Sequence, residues 1–505
     1  MQYLIGIDVG TSGTKTVLYD LGGNEIAAAT AEYPLYQEQN GYAEQEPEDW
    51  WRAVCETLRA VTAGIDAHEI GGVGLSGQMH GVVLLDKDGA VLRRAIIWCD
   101  SRTGEECREI TEIVGKERLI AVTANPALAG FSAGKLRWIQ KHEPHIYEKC
   151  RHILLPKDFI RYKLTSEFAT EVSDAAGTQW LDVRARDWSP ALLTALCVEK
   201  DYLPKVYESP VISACVSARG AADTGLAAGT PVAGGGGDNA CAAVGTGVVS
   251  GGRAFVTVGT SGVVFVQTDE PRIDPLGRVH TFCAAVPGTW HVMGVTQAAG
   301  LSLRWCRDVL CREEKRLAEA DGPDAYDRMT ALAAASPVGS NRLLYLPYLM
   351  GERTPHLDPD ARGAFFGLSA MHTVSDMIRA VLEGVAFSLA DCLAVFKEMG
   401  VETAALAICG GGARSPLWQT IFADVFGKNL TTVSPAAGAS LGAALLAGVG
   451  CGAYENVKQA ADEAVRVTGK VGFDGATHEA YEKVYALYRR LYPALRAEYA
   501  ALAKL

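Results

Sequence analysis

The sequence has no CxxC pair, no phosphate loop of the GxxxxGK[ST] type, no low-complexity tract and no long linker. Each absence removes a class of protein. The thirteen cysteines are scattered without metal-ligand spacing, so neither a disulfide framework nor a zinc site is expected. They read as reduced, mostly buried thiols of a cytoplasmic protein. No stretch of about 18 apolar residues runs free of charges or turn-formers, so no membrane span is expected. The opening MQYLIGIDVG lacks the basic start, apolar core and cleavage site of a leader. Basic charge is in deficit, with 47 Lys and Arg against 59 Asp and Glu. The formal net charge of -12 argues against nucleic acid or an anionic membrane surface as the main partner.

What is present is globular. The 505 residues are 49% hydrophobic and 21% charged, enough for large cores and for more than one domain. One pentapeptide, VGTSG, occurs twice, at Val9–Gly13 and Val258–Gly262. The repeat alone decides little, but its setting recurs. Tyr3–Val9 reads as a strand, GTSG as a turn, and Thr14–Tyr19 as a second strand, with a turn at Asn24 and a third strand over Glu25–Thr30. The small-residue run PVAGGGGDNACAAVGTGVVSGG (Pro231–Gly252) reads as a junction. Immediately after it, Ala254–Val258, GTSG and Val263–Gln267 repeat strand, turn and strand. A duplicated hairpin, each copy opening its own half, is the better reading.

Helices are expected over Pro47–Ala63, Ser375–Met399, Leu417–Phe426 and Ser440–Ala447, and through the tail from Gln459 to Leu505. Trp50 and Trp51 suit the core of the first of these. Short strands are expected at Gly72–Leu75, Val82–Asp86 and Leu406–Cys409.

A tight Gly/Ser/Thr turn points backbone N–H groups into one concavity and adds hydroxyl donors at its rim, which suits phosphate oxygens. Two such turns facing each other would hold a polyphosphate from both sides. Asp8, at the end of the first strand, offers a carboxylate for a hydrated Mg²⁺; Thr257 stands at the equivalent place in the second hairpin. Lys15, just past the first turn, is within reach of a phosphate or is simply solvated. Asp238 in GGGGDNA has two readings from its residues alone, a general base or the cap of the helix that follows. His80 reads equally as a satisfied buried histidine or as a ligand of hydroxyl oxygens. Met79 by itself is core filler.

DVGTSGTK, the second VGTSG and GGGAR (Gly410–Arg414) resemble the ATPase fold shared by actin, hexokinase and the heat-shock chaperones. More narrowly, the chain resembles the FGGY family of carbohydrate kinases over nearly its whole length. GFSAGKLRWIQKH (Gly130–His142) fits one family pattern, and GAFFGL with DMIRAVLE (Gly363–Glu383) fits the other. GLSGQMHGVVLLD, LLPKDF, SDAAGTQWLDV, GGGDNA and LPYLMGERTPH are similar to the branch that phosphorylates xylulose. There are two departures. Cys99 stands where Asn is expected, and Ala124 where Gly is common.

The resemblance implies an α/β fold of two duplicated, ribonuclease H-like ATPase domains around a central cleft, residues 1–247 binding sugar and 248–505 binding nucleotide. It implies a cytoplasmic, Mg²⁺-dependent transfer from ATP to the C5 hydroxyl of D-xylulose, a step of xylose metabolism. Asp238 is similar to the general base. Met79, His80, Asp238 and Asn239 match the sugar site, and Asp8 the metal-associated position. Thr11, Ser12, Gly13, Gly259, Thr260, Gly411 and Gly412 match the ATP site. A kinase for ribulose, fuculose or glycerol is the near alternative, and a non-kinase ATPase of the same fold the distant one. Both a monomer and a homodimer are compatible with this.

Overall fold

The computed structural model describes residues 1–320, 322–434 and 436–505. Two seven-stranded sheets organise its two halves. In the first, β1 (Tyr3–Val9) and β2 (Gly13–Asp20) form an antiparallel hairpin, and β3 (Glu25–Glu32) continues the meander. Helix α1 (Pro47–Val61) leads to β4 (Ile70–Gly77), which lies parallel to β1. β5 (Ile212–Cys215) and β6 (Pro231–Ala233) complete the order β5-β6-β4-β1-β2-β3. Gly236–Gly237 pairs beside the end of β4, and helix α2 (Asp238–Gly245) follows at once.

In the second half, β7 (Arg253–Val258) and β8 (Gly262–Thr268) form the second hairpin, flanked by β9 (His280–Cys283) and β10 (Trp290–Thr296). Helices α3 (Gly300–Val309) and α4 (Val374–Glu398) precede β11 (Ala405–Cys409), which is parallel to β7. Then come α5 (Pro416–Phe426), β12 (Leu430–Val433), α6 (Ala439–Gly450), β13 (Val467–Val471) and α7 (Gly475–Leu502). The sheet order is β9-β10-β8-β7-β11-β12-β13.

The two sheets share a plan. Each has a three-stranded antiparallel meander, two strands parallel to its first strand, and an antiparallel edge. The chain reaches the last two strands in opposite order in the two halves, and β9 is an addition to the second. The duplication expected from the repeated pentapeptide is therefore written in the topology.

Local chemistry explains the element ends. β1 is buried along most of its length between β2 and β4, whereas β3, an edge, exposes alternate residues. Helix α4 starts one residue before the expected Ser375 because Thr373 and Asp376 form a capping box, with Thr373 N donating to Asp376 Oδ2 at 2.8 Å. Ala124 ends the helix Lys116–Thr123 at φ +60°, a left-handed position that explains why glycine suits it. The tail departs from expectation. Instead of continuous helix from Gln459, strand β13 pairs with β12 before α7 begins. The β-branched residues of VRVTGKV found an open sheet edge, which a sequence pattern cannot see.

Two of four hydrophobic clusters belong to one half each, around β1/β4 and around β7/α4. The other two mix the halves: Leu4, Tyr19 and Ala240 with Leu441 and Tyr454, and Phe131 and Trp180 with Phe265 and Phe282. Helix α6 lies against the first sheet so closely that a Cβ on Gly74 would stand 1.8 Å from the Ala443 carbonyl oxygen. Among the described residues no helix is long and apolar enough to cross a membrane.

Candidate active site

Three chain segments end side by side in the first half. β1 and β4 run parallel, with Asp8 paired to Ser76 and Val9 to Gly77. Gly236–Gly237 runs parallel to Ser76–Gly77 on the other side. Asp8, Gln78–His80 and Asp238 therefore cluster at the carboxyl ends of adjacent parallel strands, the usual place for a ligand in an α/β sheet.

Asp238 opens helix α2, but the N-cap is Gly237. The Asp238 carboxylate sits in the first turn and accepts from Asn239 N at 2.7 Å and Asn239 Nδ2 at 2.9 Å, so the Asn239 amide orients Asp238. Burial and the neighbouring Asp8 charge push the Asp238 carboxyl up to about 7, against those two hydrogen bonds. Burial also raises Asp8, opposed by Lys15 across the hairpin and by the Ser76 hydroxyl, which donates to Asp8 Oδ1 at 2.9 Å. Among the described residues Asp8 Oδ2 has no such donor.

Met79 is buried against the glycine loop: a Cβ on Gly237 would come within 2.8 Å of its Cγ. His80 adopts a left-handed backbone at φ +69° and sets its Nδ1 3.0 Å from the Gly177 carbonyl. A carbonyl only accepts, so Nδ1 carries the proton and Nε2 is left an acceptor. Burial and the nearby cations Lys135 and Arg353 push the imidazole down to about 3, so it is neutral near pH 7. The His80 ring packs on Phe131 (centroids 4.4 Å) and faces Phe282 of the second half (6.0 Å).

On the second half, Gly259, Thr260, Gly411 and Gly412 line one cavity of about 520 Å³, with Tyr326 and Trp418. The cavity lies at the carboxyl ends of β7 and β11. Gly300 N and Leu301 N, at the start of α3, donate to the carbonyls of Gly259 and Thr260 at 2.8 and 3.0 Å, bringing the positive end of α3 to the turn. Gly412 has no room for a side chain, because a Cβ would lie 2.5 Å from Val258 Cγ1. Thr11, Ser12 and Gly13 do not line this cavity and stand on the other half. There Gln45 Nε2 donates to Thr11 O at 2.7 Å, and the buried Trp50 donates to Gln45 Oε1. The exposed Trp98 donates to Thr11 Oγ1 at 2.8 Å.

Sequence reasoning missed a buried charge network behind Asp238. Lys157 Nζ lies 2.8 Å from Asp158, 3.3 Å from Asp174 and 3.4 Å from Glu171, all side chains fully buried. Arg161 donates to the carbonyls of Ala233 and Gly234 at 2.5 Å each. Glu171 accepts from Ser173 Oγ, which in turn accepts from Gly237 N at 3.1 Å. The network thus grips the backbone on both sides of Gly235–Gly236. The signal lay in LLPKDF and SDAAG, where charges interrupt apolar or small-residue runs. Lys135, also missed, is buried and brought down to about 7 by that burial; it donates to His80 O and Gly130 O at 2.7 Å each.

These two arrays, acids and a neutral imidazole on one half and a glycine-walled cavity on the other, have counterparts among known proteins. The model of the N-terminal domain of the FGGY family of carbohydrate kinases matches residues 3–245, and that of the C-terminal domain residues 254–451. The xylulose kinase of Bacillus subtilis is 37% identical over 494 residues, covering 97% of each chain. That of Escherichia coli is 38% identical over 492 residues, covering 97% of this chain and 99% of the relative. The crystal structure of xylulose kinase from Rhodospirillum rubrum superposes with a TM-score of 0.90 at 30% identity, over 99% of this chain and 100% of that one. With both family domains matched in order and the duplicated sheets in place, the chain belongs to the FGGY family of carbohydrate kinases.

Proposed function

We propose that the protein transfers the γ-phosphoryl group of ATP to the C5 hydroxyl of D-xylulose, giving ADP and D-xylulose 5-phosphate. The observation that carries the reading is Asp238, a carboxylate with a pKa near 7 held at the meeting of three segment ends beside Met79 and Asp8. Such a group takes the proton from a sugar hydroxyl as its oxygen attacks the γ-phosphorus and the bond to the β-phosphate oxygen breaks. The neutral His80 holds a second hydroxyl through Nε2. Residues 1–247 then form the sugar domain and 248–505 the nucleotide domain. The ATP base sits in the cavity beside Gly411 and Gly412, and the phosphates lie between Gly259–Thr260 and Thr11–Gly13.

The donor set suits Mg²⁺. This cation binds through one or two carboxylates with waters and substrate phosphates. Asp8 offers a partly exposed carboxylate with one oxygen already fixed by Ser76, and among the described residues no denser cluster of metal-binding side chains exists. When bound there, the ion neutralises charge on the phosphates. We place the protein in the cytoplasm, where its thirteen free cysteines stay reduced.

A panel of ketoses, polyols and sugar acids assayed with MgATP tests the proposal. D-xylulose should give the highest kcat/KM; a clear preference for glycerol or L-ribulose would refute it.

A further inference from the structure

Arg353, in the GERTPH segment, has a fixed backbone and a free head. Its N–H donates to Glu352 Oε1 at 2.7 Å, and the buried Glu352 carboxylate is held in turn by Thr296 Oγ1 (2.6 Å) and Gln297 N (3.0 Å). The next residue, Thr354, donates from N to Val295 O at 2.9 Å and accepts Val295 N on its hydroxyl at 3.1 Å. Arg353 is thereby anchored to the end of β10. Its guanidinium, half-buried, has no hydrogen bond or ion pair among the described residues, whereas its own N–H and the Thr354 hydroxyl are both paired. A half-buried guanidinium with no protein partner keeps its N–H donors available to a ligand oxygen.

The guanidinium lies across from the sugar-site residues of the first half. A Cβ on Gly130 would be 3.9 Å from Arg353 Nη2, and Gly130 O accepts the same Lys135 that binds His80 O. The Arg353 charge is felt at both His80 and His280. His280 Nδ1 lies 2.7 Å from Asn125 Oδ1, and the Asn125 amide nitrogen is spent on Thr123 O and Thr281 O. His280 Nδ1 is therefore the donor. Its Nε2 is left an acceptor, as that of His80 is, and is buried with no partner among the described residues.

A donor-only group thus stands among acceptor nitrogens. Every oxygen of an alditol is a hydroxyl, able to give and accept a hydrogen bond. An open-chain ketose carries one oxygen that only accepts, its carbonyl, and a guanidinium only donates; a hydroxyl in that place can accept too, but leaves its own hydrogen facing a group that cannot take it. We propose that Arg353 is a specificity residue that selects a ketose by donating to its carbonyl oxygen, while His80 Nε2 accepts from a neighbouring hydroxyl. This rests on the reading of Met79 and His80 as the sugar site.

The test is equilibrium binding of D-xylulose and of its reduced counterpart xylitol to the full protein, by intrinsic fluorescence, for the unaltered chain, Arg353→Gln and Arg353→Lys. Arg353→Gln should weaken D-xylulose binding about 10- to 100-fold and xylitol binding less than about 3-fold. Arg353→Lys, which keeps a charged donor, should recover part of the loss, and KM for ATP should stay unchanged in both. Equal weakening toward the two sugars, or a rise confined to KM for ATP, overturns the assignment. If the unaltered protein itself binds xylitol more tightly than D-xylulose, the failure lies with the proposed substrate rather than with Arg353. Thermal melting of Arg353→Lys verifies that the comparison is made on folded protein.

Discussion

Asp8 and Asp238 share one electrostatic environment: the charge of Asp8, at the end of β1, helps to raise the carboxyl of Asp238, in the first turn of α2. A base with a pKa near 7 is matched to taking a proton at neutral pH and giving it up afterwards.

Replacing Asp238 with Asn should lower kcat about 10²- to 10⁴-fold while sugar affinity changes far less. In the unaltered protein the rate should fall as pH drops below about 7 and the base becomes protonated. Stability should move the other way. Because the folded carboxyl titrates above its unfolded value, folding takes up a proton in this range, and stability is lost as pH rises through about 7. The Asn variant should therefore melt above the unaltered protein at pH 8, with the gap closing toward pH 4. Equal melting temperatures at both pH values would show that Asp238 carries no strain of charge.

Asp8→Asn removes a charge and keeps the size. The Mg²⁺ concentration for half-maximal activity should rise at least about tenfold, with D-xylulose binding nearly unchanged. Titrating Mg²⁺ at fixed ATP reads this directly, and an unaltered metal dependence would move the ion elsewhere.

Gly74→Ala addresses the seat of α6. A methyl 1.8 Å from Ala443 O forces the helix off the sheet, so the variant should lose about 3 kcal/mol in urea unfolding. A loss below about 0.5 kcal/mol would mean that α6 shifts at no cost.

Ser166, exposed, caps the helix Pro156–Thr165 at φ +64°. Left-handed backbone costs an ordinary residue about 1–2 kcal/mol, and glycine gives back about 0.5–1 kcal/mol in unfolded-chain entropy. Ser166→Gly should therefore stabilise by about 0.5–1 kcal/mol in the same unfolding assay, with activity unchanged.

The hairpins, their repetition and the helix stripes were legible in the sequence, because each depends on neighbours within a few residues: turn chemistry at GTSG, and the apolar period of α4. Asp8 and Asp238 could be singled out for the same reason, each standing beside a glycine-rich turn. Strand β13 and Arg353 could not be read as what they are. β13 is a strand only because β12 offers an edge, and Arg353 is notable only because the fold brings its guanidinium beside Gly130, from a distant part of the chain. The shifted pKa of Asp238 belongs to the same class: its side chain has an ordinary carboxyl, and only the packing that buries it near Asp8 changes the proton's affinity. Local pattern determined the elements, and long-range burial and charge, which no window of sequence contains, decided what their end residues can do.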